Sequence, residues 1–449
     1  MIGLTLDEIA GITGGEVLGD GSLIVSGRAS IDSRSASAGD LFVAIDGEHV
    51  DGLDFVPQAI EAGSIAVLST RPVDAPGVVV ADATIALGLI ARAVIDRHES
   101  LTVIGVTGSQ GKTSAKDMMA HVLATAGPTT ATAGSFNNEL GLPLTVLGIA
   151  EDTRYLVLEM GARGIGHISA LCEIAPPDIG VVLNVGSAHI GEFGSVDNIA
   201  AAKGELIESL RPGGTAILNA DDERVAAMAS RTTEKVVTFG QNGDLVLSDL
   251  VLNGAGEPHF TLTFGDQSIA TSVPQLGAHH ASNAAAAAAV GIAVGMSLAD
   301  IGAALESASV ASPMRMARTV RPDGVTIIND AYNANPDSMA AALHALAAVG
   351  GDGRTYAVLG EMLELGEESP EAHRSIGRLA AELDIDCVVV VGEGAAGIAE
   401  GAGQRAHRVA DVSEAVSFLT ERLRTPDVVI VKASRGGRLE RVADALLDQ

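Results

Sequence analysis

From Leu101 onward, short apolar runs alternate with segments long enough to form helices. The runs have the length and composition of buried strands, and they occupy residues 102–106, 155–158, 178–184 and 215–219. Strands that alternate with helices pair in parallel, because each helical connection returns the chain to the same end of the sheet. The alternation therefore predicts an α/β fold whose mainly parallel sheet is covered by helices on both faces.

Two further units flank this one. Before it, strand-like runs at 23–25, 40–45 and 64–68 accompany a helical segment at 56–62, and a helix at 82–98 leads out of them. After it come hairpin-like turns at 240–273 and an alanine-rich helix at 283–296, then strand-like runs at 355–359, 387–391 and 428–431. At roughly 150 residues per domain, 449 residues suggest three domains, which we place at 1–98, 99–312 and 313–449. The first is a small α/β domain and the third is Rossmann-like.

The composition excludes several classes of partner. Lys and Arg number 28 against 57 Asp and Glu, and a net charge of −29 disfavours nucleic acids and anionic lipids. Aromatic residues make up 2% of the chain, too few for base-stacking surfaces. The amino end lacks the basic start of a secretory signal, and the longest apolar run, 284–296, is shorter than the roughly 20 residues of a membrane span. Two distant cysteines fit a reducing compartment, so we expect a cytoplasmic protein.

A glycine-containing loop joins the first strand of the middle domain to a helix. The sequence Thr102-Val-Ile-Gly-Val-Thr-Gly-Ser-Gln-Gly-Lys-Thr-Ser114 has the strand, loop and helix order of a phosphate-binding loop. In such loops backbone N–H groups surround phosphate oxygens, Lys112 meets the β- and γ-phosphates, and Thr113 offers a hydroxyl to Mg²⁺. The usual pattern has glycine where this chain has Val106. The strand and helix around the loop nevertheless predict a P-loop ATPase domain.

Two candidate metal ligands follow neighbouring strands. Glu159 comes directly after the run at 155–158, and His189 follows the run at 178–184 by a short loop. Ligands bind at the carboxyl ends of strands in open α/β sheets, and Mg²⁺ commonly takes one carboxylate together with phosphates and water. Alone, an acid after a strand is more often a cap or a turn, and a single histidine is more often structural.

Lys203 lies in an apolar helical stripe with Ile199, Leu206, Ile207 and Leu210. One interpretation is a buried aliphatic stem whose ammonium reaches water. The other is a neutral amine that reacts with CO₂ to form a carbamate, an anionic oxygen ligand for a second metal ion.

Four segments together resemble the Mur ligases, the ATP-dependent amide-forming enzymes of peptidoglycan precursor synthesis. They are Thr107-Gly-Ser-Gln-Gly-Lys-Thr113, Glu159-Met-Gly-Ala162, Asn184-Val-Gly-Ser-Ala-His189 and Ala202-Lys-Gly-Glu205, in the family's order and approximate spacing. Three more are similar to the branch that adds D-alanyl-D-alanine: Asn137-Asn-Glu-Leu-Gly-Leu-Pro143, Asp330-Ala-Tyr-Asn-Ala-Asn-Pro-Asp-Ser-Met339 and Leu359-Gly-Glu-Met-Leu-Glu-Leu-Gly-Glu367. The likeness extends from Asp32-Ser-Arg34 to Lys432-Ala-Ser-Arg435.

The resemblance implies an N-terminal domain for a UDP-N-acetylmuramoyl tripeptide, a central ATP-binding domain and a C-terminal domain for the incoming dipeptide, with an acyl phosphate between the two half-reactions. It implies ATP and two Mg²⁺ sites as cofactors. The implied catalytic residues are Lys112, Glu159, His189 and Lys203, and the implied metal ligands are Thr113, Glu159, His189 and carbamylated Lys203. ATP is implied to contact Thr107, Gly108, Ser109, Gln110, Gly111, Lys112, Thr113, Asn283, Arg315 and Asp330. Ser33, Arg34, Asn137 and Asn138 are implied to meet the UDP substrate, and Asn333 and Asn335 the dipeptide. His280 stands where relatives commonly carry asparagine.

Three alternatives remain open from the sequence. The chain fits another ligase of the superfamily, such as a diamino-acid-adding enzyme or a folylpolyglutamate synthetase. It also fits a nucleotide-dependent binding switch, and the alanine-rich helix fits an assembly role. The sequence does not assign the general base, the third residue of the peptide or the oligomeric state.

Overall fold

The computed structural model describes residues 1–47, 50–186, 190–308 and 312–448. Three sheets follow one another along the chain, and we call the units around them the N-terminal, middle and C-terminal lobes. The strands of the N-terminal lobe are β1 (Leu4–Thr5), β2 (Glu16–Leu18), β3 (Ile24–Val25), β4 (Ala29–Ser30), β5 (Leu41–Val43), β6 (Ala66–Ser69) and β7 (Gly77–Val79). Its helices are α1 (Leu6–Thr13), α2 (Val56–Glu61) and α3 (Ala83–Arg97). The main sheet has the order β2-β7-β6-β5-β4 and is parallel except for β2, while β1 and β3 form a separate pair.

The middle lobe contains the longest sheet among the described residues. Its strands are β8 (Thr102–Thr107), β9 (Thr129–Ala131), β10 (Tyr155–Glu159), β11 (Ile179–Val182), β12 (Thr215–Asn219), β13 (Lys235–Gly240), β14 (Leu245–Leu252), β15 (Pro258–Phe264) and β16 (Gln267–Ser272). Its helices are α4 (Lys112–Ala124), α5 (Gly141–Val146), α6 (His167–Ile174), α7 (Ile190–Phe193), α8 (Val196–Glu208), α9 (Glu223–Ala227), α10 (His279–Ala293) and α11 (Leu298–Glu306).

The order of strands in this sheet determines which loops meet. The order is β16-β15-β14-β13-β12-β11-β8-β10-β9, with parallel pairing from β9 to β14 and antiparallel pairing beyond. Strand β8 therefore lies between β10 and β11, and the loops after all three strands leave from one edge. An edge of this kind is where open α/β sheets bind ligands.

The C-terminal lobe is a second, smaller α/β unit. Its strands are β17 (Ala317–Val320), β18 (Thr326–Asn329), β19 (Thr355–Leu359), β20 (Cys387–Val391), β21 (Ala406–Val409) and β22 (Val428–Lys432). Its helices are α12 (Pro336–Val349), α13 (Ser369–Glu382), α14 (Ala396–Ala402), α15 (Val412–Arg422) and α16 (Glu440–Leu447). The sheet order is β17-β18-β22-β19-β20-β21, and only the β17 pairing is antiparallel among these described strands.

The N-terminal and middle lobes share a hydrophobic core. A single cluster of buried side chains runs from the N-terminal sheet through α3 to one face of the middle sheet, including Leu87, Ile90 and Leu156. Gly88 of α3 lies so close to α6 that a methyl group there would come within 3.2 Å of Ile174. The other face of the middle sheet packs against α4 and α10 in a separate cluster.

The predicted fold class is confirmed: three α/β units contain mainly parallel sheets. The domain boundaries near 98 and 312 stay predictions. Residues 284–289 of α10 are wholly buried, so the interpretation of this helix as an assembly surface is wrong. In the part of the chain that the structure describes, every helix is too short or too polar to span a bilayer.

Candidate active site

The glycine-containing loop adopts the conformation that a phosphate cradle needs. Strand β8 ends at Thr107, α4 begins at Lys112, and Gly111 between them has a φ of +79°, a left-handed value that favours glycine. A methyl group at Gly111 would lie 2.7 Å from Oδ1 of Asn283, which reaches the loop from α10. Val106 is fully buried within β8 and pairs with Glu159 of β10, so the departure from the usual glycine pattern lies in the strand.

A side chain from the neighbouring strand fixes the loop. Oδ1 of Asn184, just after β11, accepts hydrogen bonds from the backbone N–H groups of Ser109 and Gln110, both at 3.0 Å. Asn184 Nδ2 donates to the Gln110 carbonyl at 3.2 Å, and Gly186 N–H donates to Ser109 Oγ at 2.8 Å. The loop is therefore held in place by protein contacts alone.

Thr113, Glu159 and Asn137 converge beside the loop. Thr113 Oγ1 donates to Glu159 Oε2 at 2.8 Å, and Asn137 Nδ2 donates to Glu159 Oε1 at 2.7 Å. Glu159 is 1% exposed and Thr113 is 3% exposed. A hydroxyl and a carboxylate so placed are the oxygen donors that Mg²⁺ prefers, and the phosphates of a nucleotide in the loop would supply more. Within the described residues no cluster of three His, Cys, Asp or Glu side chains is arranged for a metal ion.

The C-terminal lobe adds a cation to this group. Arg315 donates through Nη2 to Thr113 Oγ1 at 3.1 Å and to Ser135 Oγ at 3.3 Å. Its guanidinium carbon lies 4.1 Å from the centre of the Tyr332 ring, and its buried Nε has no partner in the described part of the chain. Arg315 thus brings the C-terminal lobe into contact with the phosphate loop.

Positive charge dominates the cluster. Lys112 Nζ donates to the Gly108 carbonyl at 2.7 Å, and burial lowers the pKa of its ammonium, against the opposing effect of Glu159. The cluster contains two cations, Lys112 and Arg315, and one carboxylate, Glu159. Its local charge is therefore positive, although the whole chain has a net charge of −29. An excess of partly buried cations at a helix N-terminus favours a polyanionic ligand.

Lys203 is buried near Lys112. The residue is 5% exposed, so the interpretation of an ammonium that reaches water is wrong. Burial, reinforced by the charge of Lys112, lowers the pKa of Lys203 well below its ordinary value. Burial therefore shifts Lys203 toward the neutral amine, the form from which a carbamate is made.

Other predicted residues lie farther from the cluster. Ser33 and Arg34 belong to the N-terminal lobe, where Ser33 Oγ donates to Gln58 at 2.8 Å and exposed Arg34 pairs with Asp32. The Arg34 guanidinium lowers the pKa of Asp32 to about 2. Asn138 accepts from the Gly141 N–H at 2.9 Å and so acts locally, whereas Asn137, predicted on the UDP-substrate side, contacts the candidate metal carboxylate.

The C-terminal residues form a second polar group at their own sheet edge. Asp330 Oδ1 accepts from the Met316 N–H at 3.0 Å, and Asp330 Oδ2 pairs with Lys432 Nζ at 2.5 Å. Lys432 also donates to the Asn333 carbonyl at 2.9 Å. Asn335 Oδ1 accepts from the Ser338 N–H and caps α12, while the Asn333 side chain is exposed.

His280, at the start of α10, is 2% exposed, and its two ring nitrogens have no partner among the described residues. Burial, and to a lesser extent neighbouring His279, lowers the pKa of His280 far below its ordinary value. His189 lies outside the described residues.

Sequence reasoning did not single out four residues that the structure places in or under these groups. Asn184 lies in one of the segments that resemble the family, and its position at the end of a strand-like run was the available signal. Lys432 stood at the end of the matched region, also after a strand. No local pattern marks Ser135 or Lys116, because their roles depend on contacts across the fold.

Three stretches of the chain match described protein families. Residues 28–103 match "Mur ligase family, catalytic domain", residues 106–291 match "Mur ligase middle domain", and residues 314–435 match "Mur ligase, glutamate ligase domain".

Named relatives match over nearly the whole length. The chain is 44% identical to the UDP-N-acetylmuramoyl-tripeptide–D-alanyl-D-alanine ligase of Mycobacterium tuberculosis, covering 100% of this chain and 98% of the relative. It is 34% identical to the Escherichia coli protein of that name, covering 99% of each. Among solved structures, MurF from Acinetobacter baumannii superposes with a TM-score of 0.91 at 32% identity, covering 100% and 99% of the two chains. MurF from Thermotoga maritima in complex with ADP gives 0.83 at 32% identity, covering 94% and 98%.

Proposed function

The chain belongs to the Mur ligase family, and from that premise we propose that it joins D-alanyl-D-alanine to a UDP-N-acetylmuramoyl tripeptide. ATP is converted to ADP and phosphate, and the product is an amide. Relatives that carry this activity in their names cover the whole chain, which favours the dipeptide-adding reaction over that of another superfamily ligase.

One observation carries the proposal. Thr113 in the first turn of α4, Glu159 at the end of β10 and Arg315 of the C-terminal lobe meet at the phosphate loop. Such a group brings cations and oxygen donors to the place where a triphosphate would lie. The protein needs no nucleophile of its own for this reaction, because the substrate carboxylate is the nucleophile. It suits the transfer of a phosphoryl group to a carboxylate.

The first half-reaction is opposed by charge. An anionic carboxylate must approach the γ-phosphoryl group, and Lys112 and Arg315 reduce that repulsion while the loop N–H groups hold the phosphates. The carboxylate oxygen forms the new P–O bond as the bond to ADP breaks, which gives an acyl phosphate. Asn184 maintains the loop during this step because it holds the Ser109 and Gln110 backbone.

Thr113 and Glu159 would hold the first Mg²⁺, and Asn137 would orient the Glu159 carboxylate. When bound, Mg²⁺ supplies further screening of the negative charges. For a second ion the donors would be His189 and Lys203. Loss of a proton and bond formation between the Lys203 nitrogen and CO₂ would give the carbamate, and burial favours the neutral amine that this step needs.

In the second half-reaction the amine of the dipeptide attacks the acyl carbon, and phosphate leaves. We propose that Asn333 and Asn335 lie on the dipeptide side, and that Ser33, Arg34 and Asn138 lie toward the UDP end. Asn283 and Asp330 would contact the nucleotide. Asn333 is the more available of the two dipeptide-side amides, since Asn335 caps a helix.

We place the reaction in the cytoplasm, as a step of peptidoglycan precursor synthesis that supports cell wall growth, cell shape and division. ATP is abundant in that compartment. The two free cysteines, Cys172 and Cys387, are consistent with a reducing environment.

A phosphate-release assay across a panel of amines tests the function. We expect release only with both the UDP-linked tripeptide and D-alanyl-D-alanine present. Equal release without the dipeptide, or with a diamino acid in place of the dipeptide, would contradict the proposal. Equal turnover with glutamate and a folate would indicate a folylpolyglutamate synthetase.

The carbamate has its own test. We expect Lys203→Ala to be inactive and to regain part of its activity when short-chain carboxylic acids are added. Rescue by the same concentration of chloride salt would show that ionic strength, not a carboxylate, restores the site.

A further inference from the structure

Helix α4 carries two lysines one turn apart that have different surroundings. Lys112 turns back to the phosphate loop, where its Nζ meets the Gly108 carbonyl. Lys116 lies beneath the loop and is 2% exposed. Its Nζ donates to the Thr132 carbonyl at 2.6 Å and forms an ion pair with Asp117. A buried ammonium directed at one backbone oxygen, away from the phosphates, calls for an explanation.

Thr132 is the point at which three elements meet. Its N–H donates to the Val157 carbonyl at 3.0 Å, immediately beyond β9. Its Oγ1 accepts from the Glu159 N–H at 3.1 Å. Lys116 reaches the same residue from α4, so one threonine links that helix to the end of the strand that carries the candidate metal carboxylate.

The segment after Thr132 leads into the cluster. Residues 133–138, which we call the 133–138 loop, place Ser135 beside Thr113 and Asn137 beside Glu159. The far side of the loop is fixed by the Gly161 N–H, which donates to the Asn137 carbonyl at 2.9 Å. Lys116 therefore fixes the near side of a loop whose side chains touch two candidate metal ligands.

We propose that Lys116 is a positioning residue, which sets the Glu159 carboxylate and the 133–138 loop at the correct distance from Thr113 for metal-nucleotide binding. The inference rests on the proposed function, because it assigns Lys116 a part in that site.

The chemistry of a buried lysine supports positioning over stabilisation. Removing an ammonium and a carboxylate from water costs free energy that their attraction repays only in part, so a buried ion pair is weak evidence for stability. An apolar side chain of similar length would fill the space but would leave the Thr132 carbonyl without its donor. Groups behind metal ligands orient those ligands, and their loss weakens metal binding.

Direct metal binding is the informative measurement. Mn²⁺ is a paramagnetic substitute for Mg²⁺ with similar oxygen ligands, and electron paramagnetic resonance measures its binding to the full-length protein in the presence of ADP. In Lys116→Met with Asp117→Asn, which leaves no unpaired buried carboxylate, we expect Mn²⁺ affinity to fall about tenfold. ADP affinity without metal should stay within about twofold of the unmodified protein, an expectation for a residue that acts behind the metal ligands.

A matched control and a second variant make the result interpretable. Lys235→Met changes an exposed lysine at the start of β13, which is at the opposite end of the parallel strands from the site. This variant should bind Mn²⁺ normally. Thr132→Val removes the hydroxyl that accepts a hydrogen bond from the backbone N–H of Glu159, and it should weaken Mn²⁺ binding as well. Because both changes act through one residue, combining them should give less than the product of the separate effects.

The outcomes separate this inference from the function on which it rests. If the unmodified protein does not bind Mn²⁺ with ADP, the proposed function fails. If it does bind, normal Mn²⁺ affinity in the Lys116 variant overturns the positioning role, as do fully multiplicative effects with Thr132→Val. If the Lys116 variant does not fold, normal Mn²⁺ affinity in Thr132→Val overturns it.

Discussion

The middle and C-terminal lobes both carry charged residues at the carboxyl edges of parallel sheets, but the charges are balanced differently. At the carboxyl edge of the middle sheet, Lys203 is buried near the partly buried Lys112, which has Glu159 as a neighbouring carboxylate, and Arg315 adds a third cation. At the C-terminal edge, Asp330 and Lys432 neutralise each other at 2.5 Å. The carboxyl edge of the middle sheet thus favours a ligand with negative charge, whereas the Asp330–Lys432 pair at the C-terminal edge carries no excess charge.

The difference suggests two uses of buried charge. Unbalanced cations reduce the stability of the folded chain and increase its affinity for anions. A balanced pair holds a loop at a fixed place, here the segment from Asp330 to Asn333. Substitutions at the two edges should therefore have opposite effects on stability and activity.

The largest effect should be a loss of stability at the balanced edge. Lys432→Met leaves Asp330 buried with the Met316 N–H as its remaining donor, and we expect a loss of about 3–5 kcal/mol. Chemical denaturation of the full chain measures it. Adding Asp330→Asn should recover most of the lost free energy of unfolding. An unchanged denaturation midpoint in Lys432→Met alone would show that the ion pair contributes little to stability.

Lys112→Ala should slow the chemistry without destabilising the protein. The lysine opposes the charge that develops on the phosphoryl group, so kcat should fall about 10²–10³-fold. Phosphate release with both substrates measures this, and Lys235→Ala serves as the control. Wild-type turnover in Lys112→Ala would remove the phosphate loop from the mechanism.

Lys203→Met should stabilise the protein while abolishing activity. Because the folded pKa lies below the unfolded one, the unfolded state binds more protons between the two values, and the stability of the unmodified protein rises with pH there. In CO₂-free buffer the variant should be more stable by about 1–3 kcal/mol at neutral pH. The advantage should shrink as the pH approaches about 10. Urea denaturation at several pH values measures it, and a pH-independent difference would contradict the assignment.

The smallest effect separates two amides. Asn335→Ala removes the cap of α12 and should cost about 1 kcal/mol in thermal or chemical denaturation. Asn333→Ala should leave stability unchanged and raise KM for the dipeptide, since its side chain is exposed. If Asn333→Ala instead destabilises the chain as much as Asn335→Ala, the distinction between the two amides is wrong.

Much of the fold could be predicted because buried strands are apolar. The predicted runs 355–359 and 387–391 coincide with β19 and β20, and 215–219 coincides with β12. Strands with polar or exposed residues were missed: β17 lies at a sheet edge with three exposed residues, and β9 has three partly exposed ones. Their pairing depends on the neighbouring strand, which a local pattern does not contain.

The candidate site divides in the same way. Lys112, Thr113 and Glu159 could be placed together because each follows a strand of one sheet, and the structure does place them together. That Asn137 contacts Glu159 could not be predicted, because the contact depends on the path of the 133–138 loop. Likewise, Arg315 reaches Thr113 from another lobe, 202 residues away in the chain.

The core shared by the first two lobes limits how this chain could be divided. Helix α3 buries Leu87 and Ile90 in the same cluster as the middle sheet, and Arg92 donates to the Glu173 carbonyl at 2.8 Å. A fragment ending near residue 98 would expose that apolar face to solvent and should aggregate. A chimera that takes its first lobe from a relative would also need the relative's α5 and α6, so the unit of exchange is larger than the sheet it contains.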